Sequence, residues 1–130
     1  MDPLIALHHS DGCNIDQAPG YIRGTVGPGL AHQVQECYRT FVNECLQRHS
    51  ARALIVGTAR VDAFYHLALR DALRSMSVAG LPDGFRLALI AGTPDLIAIY
   101  DAALVEAGRC GIEARRFLDE ADGQRWLAQS

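Results

Sequence analysis

From residue 30 onward, short apolar runs alternate with stretches whose apolar residues recur at helical spacing. The runs cover residues 53–56, 85–91 and 112–118, which suits buried strands. The clearest helical stripe precedes the first run and consists of Leu30, Val34, Cys37, Tyr38, Phe41, Val42, Cys45 and Leu46. This alternation predicts strands joined by crossover helices, so the last three strands should lie parallel, with right-handed connections.

Two further strands are expected ahead of this part of the chain. Residues 3–8 form a mainly apolar run, and residues 21–26 alternate between the two faces of a strand. Residues 10–12 supply turn chemistry between them, and no helical pattern intervenes. We therefore expect these two strands to pair antiparallel.

Helix-start signals complete the expected order. Asp62 is placed to cap the second helix, and Thr93 followed by Pro94 and Asp95 to start the third. Asp119 should cap a short terminal helix. The prediction is one α/β domain over residues 1–130, a mixed sheet of about five strands with about four helices, in the order β-β-α-β-α-β-α-β-α.

The cationic residues exclude several chemistries, because all 12 are Arg and Lys is absent. A Schiff-base enzyme, a pyridoxal phosphate enzyme and a P-loop nucleotidase each need a Lys, and no cofactor is expected. The net charge is −3 and the arginines are scattered, which argues against a nucleic-acid partner.

Compartment is predicted from the first residues and from the cysteines. Residues 1–5 lack the features of a signal peptide, and no apolar run approaches the ~18 residues of a membrane span. Cys37 and Cys45 are ~12 Å apart on one helix, too far for a disulfide. We expect Cys13, Cys37, Cys45 and Cys110 to be free thiols, and the cytoplasm to be the compartment.

Three local sequences resemble the SpoIIAA-like proteins of the STAS superfamily. They are residues 53–57 with the helix after them, residues 85–90 with Ile99 and Tyr100, and residues 111–121 with Trp126 and Leu127. The resemblance covers residues 21–127, and it implies a STAS/SpoIIAA-like single domain, a small mixed sheet backed by helices.

The resemblance also implies a function. In the anti-sigma-factor antagonists of that family, a kinase phosphorylates a Ser after the central strand and so controls partner binding. The matching loop, residues 57–62, has no Ser, and Thr58 is its one hydroxyl and the candidate phospho-acceptor. The broader group is similar to lipid-transfer domains, which implies apolar ligands or contact with a membrane surface.

The candidate site lies at the carboxyl ends of two parallel strands, where open α/β sheets bind ligands. Both loops lead into helix N-termini, which attract anions. One reading makes these residues simple caps and solvated charges, and the other makes them a ligand or partner site. The candidates are Thr58, Arg60, Asp62, Tyr65, Thr93 and Asp95.

Other motifs are weaker. The spacing Gly24-x-x-Gly27-x-Gly29 is not a dinucleotide fingerprint. His8 and His9 point to opposite faces of a strand, so no metal site is expected there. The cysteines on the helical stripe are expected to be buried and unreactive, and no catalytic residue is predicted.

Three hypotheses of function remain open. The first is a non-enzymatic STAS-like regulatory or protein-interaction module, which binds a protein partner or forms a homodimer through the helix after the central strand. The second is a carrier of a small apolar or anionic ligand between the second and third helices and the sheet. The third is a small enzyme, which loss of activity on mutating His8, His9 or Cys13 would support.

Overall fold

A computed structural model describes residues 4–27, 29–57 and 63–129, with the backbone alone for residues 63–66. Ten elements alternate along this part of the chain and form one α/β domain. They are β1 (Ile5–Ser10), β2 (Cys13–Ala18), β3 (Tyr21–Val26), α1 (Ala31–Gln47), β4 (Arg52–Gly57), α2 (Ala63–Ala79), β5 (Arg86–Ala91), α3 (Pro94–Arg109), β6 (Glu113–Phe117) and α4 (Glu120–Leu127).

The six strands form one mixed sheet in which spatial order follows chain order, from β1 to β6. β1, β2 and β3 are antiparallel, whereas β3 to β6 run parallel. The expected parallel arrangement of the last three strands is therefore confirmed. The α/β class is also confirmed, with six strands in place of about five.

The additional strand is β2, and it corrects the expected N-terminal pairing. β1 pairs with β2, and β2 lies between β1 and β3. The sequence of β2 contains Asn, Asp and Ala, which are depleted in strands, so its composition does not predict a strand. In the structure Cys13 and Ile15 face the core while Asn14 is exposed.

Helices α1, α2 and α3 cover one face of the sheet. Right-handed crossovers that step across a sheet in one direction place their helices on the same side. The resulting core joins strand residues such as Ile22, Ile55 and Leu89 to Phe41 of α1, Leu73 of α2 and Tyr100 of α3.

α4 lies alone on the opposite face. It packs Trp126 and Leu127 against Leu54, Ala88 and Ile90 of the two central strands. Asp119 caps it as expected, since its carboxylate accepts a hydrogen bond from the Ala121 amide at 2.7 Å. α4 reaches β3 through Tyr21 and Arg23, but among the described residues no helix lies over β1 or β2 on this face; we call the part of the face formed by β1, β2 and β3 the open half-face.

A disulfide between Cys13 and Cys37 ties β2 to α1, with the Cα atoms 5.6 Å apart. The expectation of four free thiols was wrong, because Cys13 lies in β2, a strand that the sequence did not predict and that places it beneath α1. Cys45 and Cys110 are free. Since disulfides persist in oxidising compartments, the cysteines no longer support a cytoplasmic location. No described helix is both long and apolar enough to cross a membrane.

Candidate functional site

The predicted loops do start at neighbouring strand ends. Gly57 is in register with Val26 on one side and with Ala91 on the other. Thr58, Arg60 and Asp62 lie outside the described residues, and so does the side chain of Tyr65. Their roles as phospho-acceptor, cap or binding residues remain predictions.

Thr93 and Asp95 are described, and both are exposed at the start of α3. Asp95 lies in the first turn and Pro94 opens the helix, as predicted. Thr93 occupies the N-cap position, but its side chain makes no capping hydrogen bond, so the predicted cap is corrected. Its backbone carbonyl accepts instead from the amides of Leu96 and Ile97.

Sequence reasoning missed a row formed by a His and three charged side chains along the open half-face. Nε2 of His9 on β1 lies 2.6 Å from Oδ1 of Asp16 on β2. Asp16 is in register with Arg23 on β3. Arg23 donates from Nε to Oε1 of Glu120 on α4 at 2.5 Å, and from Nη2 to Oε2 at 3.1 Å. We call His9, Asp16, Arg23 and Glu120 the charged row.

Asp16 is the one charged residue that is buried among the described residues. Its burial is tolerated because His9 contacts it and because its charge attracts that of Arg23. The hydrogen bond to Glu120 raises the pKa of Arg23, against the opposing effect of burial. The guanidinium of Arg23 therefore lies between two carboxylates, those of Asp16 and Glu120.

A groove of about 830 Å³ lies beside the charged row, between α4 and the β2–β3 turn. Its polar wall contains Arg23, Glu120 and Gln124, and Gln124 donates a hydrogen bond to the hydroxyl of Tyr21 at 3.0 Å. Burial is the main cause that raises the pKa of Tyr21. The remaining wall is mainly apolar and is formed by Leu4, Ala18, Pro19, Gly20, Tyr21, Leu127 and Ala128. We call this cavity the α4 groove.

The site offers binding chemistry more clearly than bond-breaking chemistry. An apolar wall beside a fixed ion pair suits an amphipathic side chain. The contact with Asp16 orients His9, but among the described residues no nucleophilic side chain joins that pair. No group of three or more described His, Cys, Asp or Glu side chains could hold a metal ion.

Comparisons with family models, with curated proteins and with solved structures found no match. The resemblance to SpoIIAA-like proteins consequently stays a hypothesis carried by the local sequences alone.

Proposed function

We propose that this chain is a non-enzymatic, STAS-like interaction module that binds a protein partner in the α4 groove and across the charged row. The observation that carries the proposal is the unequal covering of the sheet. Three helices cover one face, whereas α4 covers only part of the other and leaves a groove of about 830 Å³ at its border.

The shape of the site favours a protein over a small molecule. The groove opens onto three strands of the open half-face, so a partner could contact a wide surface around the cavity. Exposed Leu4 and Ile5 add apolar area at the same end of the sheet. The paired charges of Arg23 and Glu120 would set orientation and specificity more than affinity.

Site-specific photocrosslinking in the native host tests this proposal. A benzophenone side chain placed at Leu4 or at Ala128 lies at the groove. The same group placed at Val78, an exposed residue of α2 away from the groove, is the control. We expect one adduct of the same mass from both groove positions and none of that mass from Val78. Equal labelling from all three positions, or no adduct at the groove, contradicts the proposal.

The same experiment separates the alternatives that the sequence left open. An adduct at twice the mass of the chain identifies a homodimer. A partner that docks at the start of α2 should be lost in R60A and Y65A variants, while a groove partner should be kept. If phosphorylation controls binding, Thr58→Glu should change the yield of the adduct and Thr93→Glu should not.

A further inference from the structure

From the sequence, one hypothesis placed a ligand between α2, α3 and the sheet. In the structure, side chains fill this interior. Leu69, Leu73, Leu96 and Tyr100 are all at most 1% exposed in this region. An open cleft of about 380 Å³ lies on the outer surface between the same two helices. It is lined by Arg70, Arg74, Ala102, Ala103, Val105, Glu106 and Arg109, and we call it the arginine cleft.

The charges of the arginine cleft do not cancel. Arg74 Nε donates to Glu106 Oε1 at 2.7 Å, and Arg109 Nη1 lies 3.7 Å from Oε2 of the same carboxylate. The hydrogen bond from Arg74 is the main cause that lowers the pKa of Glu106. Two carboxylates, Glu106 in the cleft and Asp71 beside Arg70, thus face three guanidinium groups, in a chain whose net charge is −3.

The positions of these groups suit a ligand that arrives from solvent. The Glu106 side chain is only 12% exposed, whereas those of Arg74 and Arg109 are 54% and 74% exposed. The carboxylate therefore sits deep in the cleft with the guanidinium groups around its mouth.

Arg70 supplies an independent observation. Its Nε is buried and has no hydrogen-bond partner among the described residues. The Asp71 carboxylate lies 3.8 Å away, which attracts the charge of Arg70 but is beyond hydrogen-bond length. A buried donor without a partner costs free energy that a small shift of the side chain toward an acceptor in the cleft would recover.

We propose that the arginine cleft binds a small phosphate-bearing ligand with two or more negative charges. Guanidinium groups match the paired oxygens of phosphate and are weakly hydrated, so they bind such groups better than ammonium groups do. The floor of Ala102 and Ala103 leaves room for the anion. This proposal is independent of the α4 groove and stands whether or not a protein partner binds there.

Calorimetric titration with pyrophosphate and with inorganic phosphate, at constant ionic strength, tests the proposal. Arg109→Gln removes a guanidinium whose one ion pair with a described residue is the long one to Glu106, and it should raise the Kd about tenfold. The matched control is Arg39→Gln on α1, where an exposed Arg pairs with Glu36. The control should leave the Kd unchanged. Equal loss in both variants overturns the proposal, and so does the absence of binding tighter than chloride when phosphatidate vesicles are not bound either.

A second variant separates ligand binding from a structural role. Glu106→Gln removes the competing carboxylate yet keeps an oxygen that can accept from Arg74. We expect the variant to bind pyrophosphate about threefold to tenfold more tightly, because the negative charge of Glu106 no longer repels the ligand. If the cleft is only a structural ion-pair cluster, this variant binds no better than the parent protein, and the proposal fails.

The source of the phosphate is decided with vesicles. Binding to phosphatidate vesicles that is lost in Arg109→Gln, without binding of free pyrophosphate, assigns the phosphate to a lipid headgroup. Binding of free pyrophosphate, without binding to the vesicles, assigns it to a soluble ligand. Absence of both kinds of binding overturns the proposal.

Discussion

At Gly24, in the middle of β3, the sheet meets the ring of Phe41 on α1. A Cβ atom at this position would lie 2.5 Å from Cδ1 and 2.8 Å from Cε1 of the ring. Phe41 is itself buried and cannot move aside without disturbing the core. The glycine is therefore required by the distance between strand and helix, and not by a turn.

Gly24→Ala should lower the free energy of unfolding by about 1–3 kcal/mol, because it overpacks a filled core. Gly92→Ala is the matched control, since a Cβ there meets no atom within 4 Å. Urea denaturation of both variants measures the difference. A Gly24→Ala variant as stable as the control would show that α1 shifts freely over the sheet.

The two free thiols should differ sharply in reactivity. Burial raises the pKa of Cys45 to about 12, whereas Cys110 is only partly buried. Since the folded pKa lies above the ordinary value of 9.0, the thiol form is kept at pH 8, and stability is lost only as the pH rises from 9 toward 12.

A maleimide should accordingly label the native protein once at pH 8, at Cys110. In urea it should label twice, and after reduction in urea four times, because the Cys13–Cys37 disulfide has then opened. Intact-mass spectrometry counts the labels. Labelling of Cys45 in the native protein, or four labels without reductant, would contradict this picture.

At the scale of the elements, the ion pair between Arg23 and Glu120 joins β3 to the start of α4. The Arg23 and Glu120 side chains are 22% and 31% exposed, so water screens their pairing only in part. Arg23→Met keeps the apolar stem but leaves Glu120 and the buried Asp16 without their cation. We expect a loss of about 1.5–3 kcal/mol in unfolding free energy.

Arg125→Met is the control for this prediction, because Arg125 and Asp122 form a pair that is at least half exposed on the same helix. That variant should cost less than about 1 kcal/mol. Fluorescence of Trp126, the single tryptophan, follows α4 directly during denaturation. Equal losses in the two variants would mean that the Arg23 contact does not hold α4.

The elements were predictable where local signals were strong. The stripe from Leu30 to Leu46 became α1, and Pro94 and Asp95 marked the start of α3. β2 was not predicted, because its composition is typical of turns. It is stabilised as a strand by its pairing with β1 on one side and β3 on the other, which the local sequence does not show. Trp126 and Leu127 predicted that α4 packs against the body of the protein. The face of the sheet on which it packs could not be predicted, because that depends on contacts between residues far apart in the sequence.

At the scale of the whole molecule, the disulfide joins the antiparallel hairpins to the helical layer across a sequence separation of 24 residues. Replacing both Cys13 and Cys37 by Ser should lower the unfolding free energy by about 3 kcal/mol, mainly because the unfolded chain gains freedom. Cys110→Ser serves as the control, and reductant should mimic the double variant. An unfolding free energy that changes neither in the double variant nor with reductant would show that the disulfide is not formed.

The candidate site was predictable only in part, for a geometric reason. The edge formed by Gly57 and Ala91 followed from strand order, since carboxyl ends of parallel strands meet. The charged row could not be predicted from strand order. Arg23 and Glu120 are 97 residues apart, and they meet only because α4 lies on the face opposite to α1, α2 and α3. The arginine cleft likewise needs the packing of α2 against α3.

Because every strand pairs with its neighbours in the chain, the sheet can grow in the order in which the ribosome makes it. Each new parallel strand finds its template already in place. The strip formed by Leu54, Ala88 and Ile90 is the exception, since Trp126 and Leu127 cover it last. Until α4 has packed, this strip is exposed as an apolar band, so a chain that lacks the residues from Asp119 onward would be a substrate for chaperones and proteases.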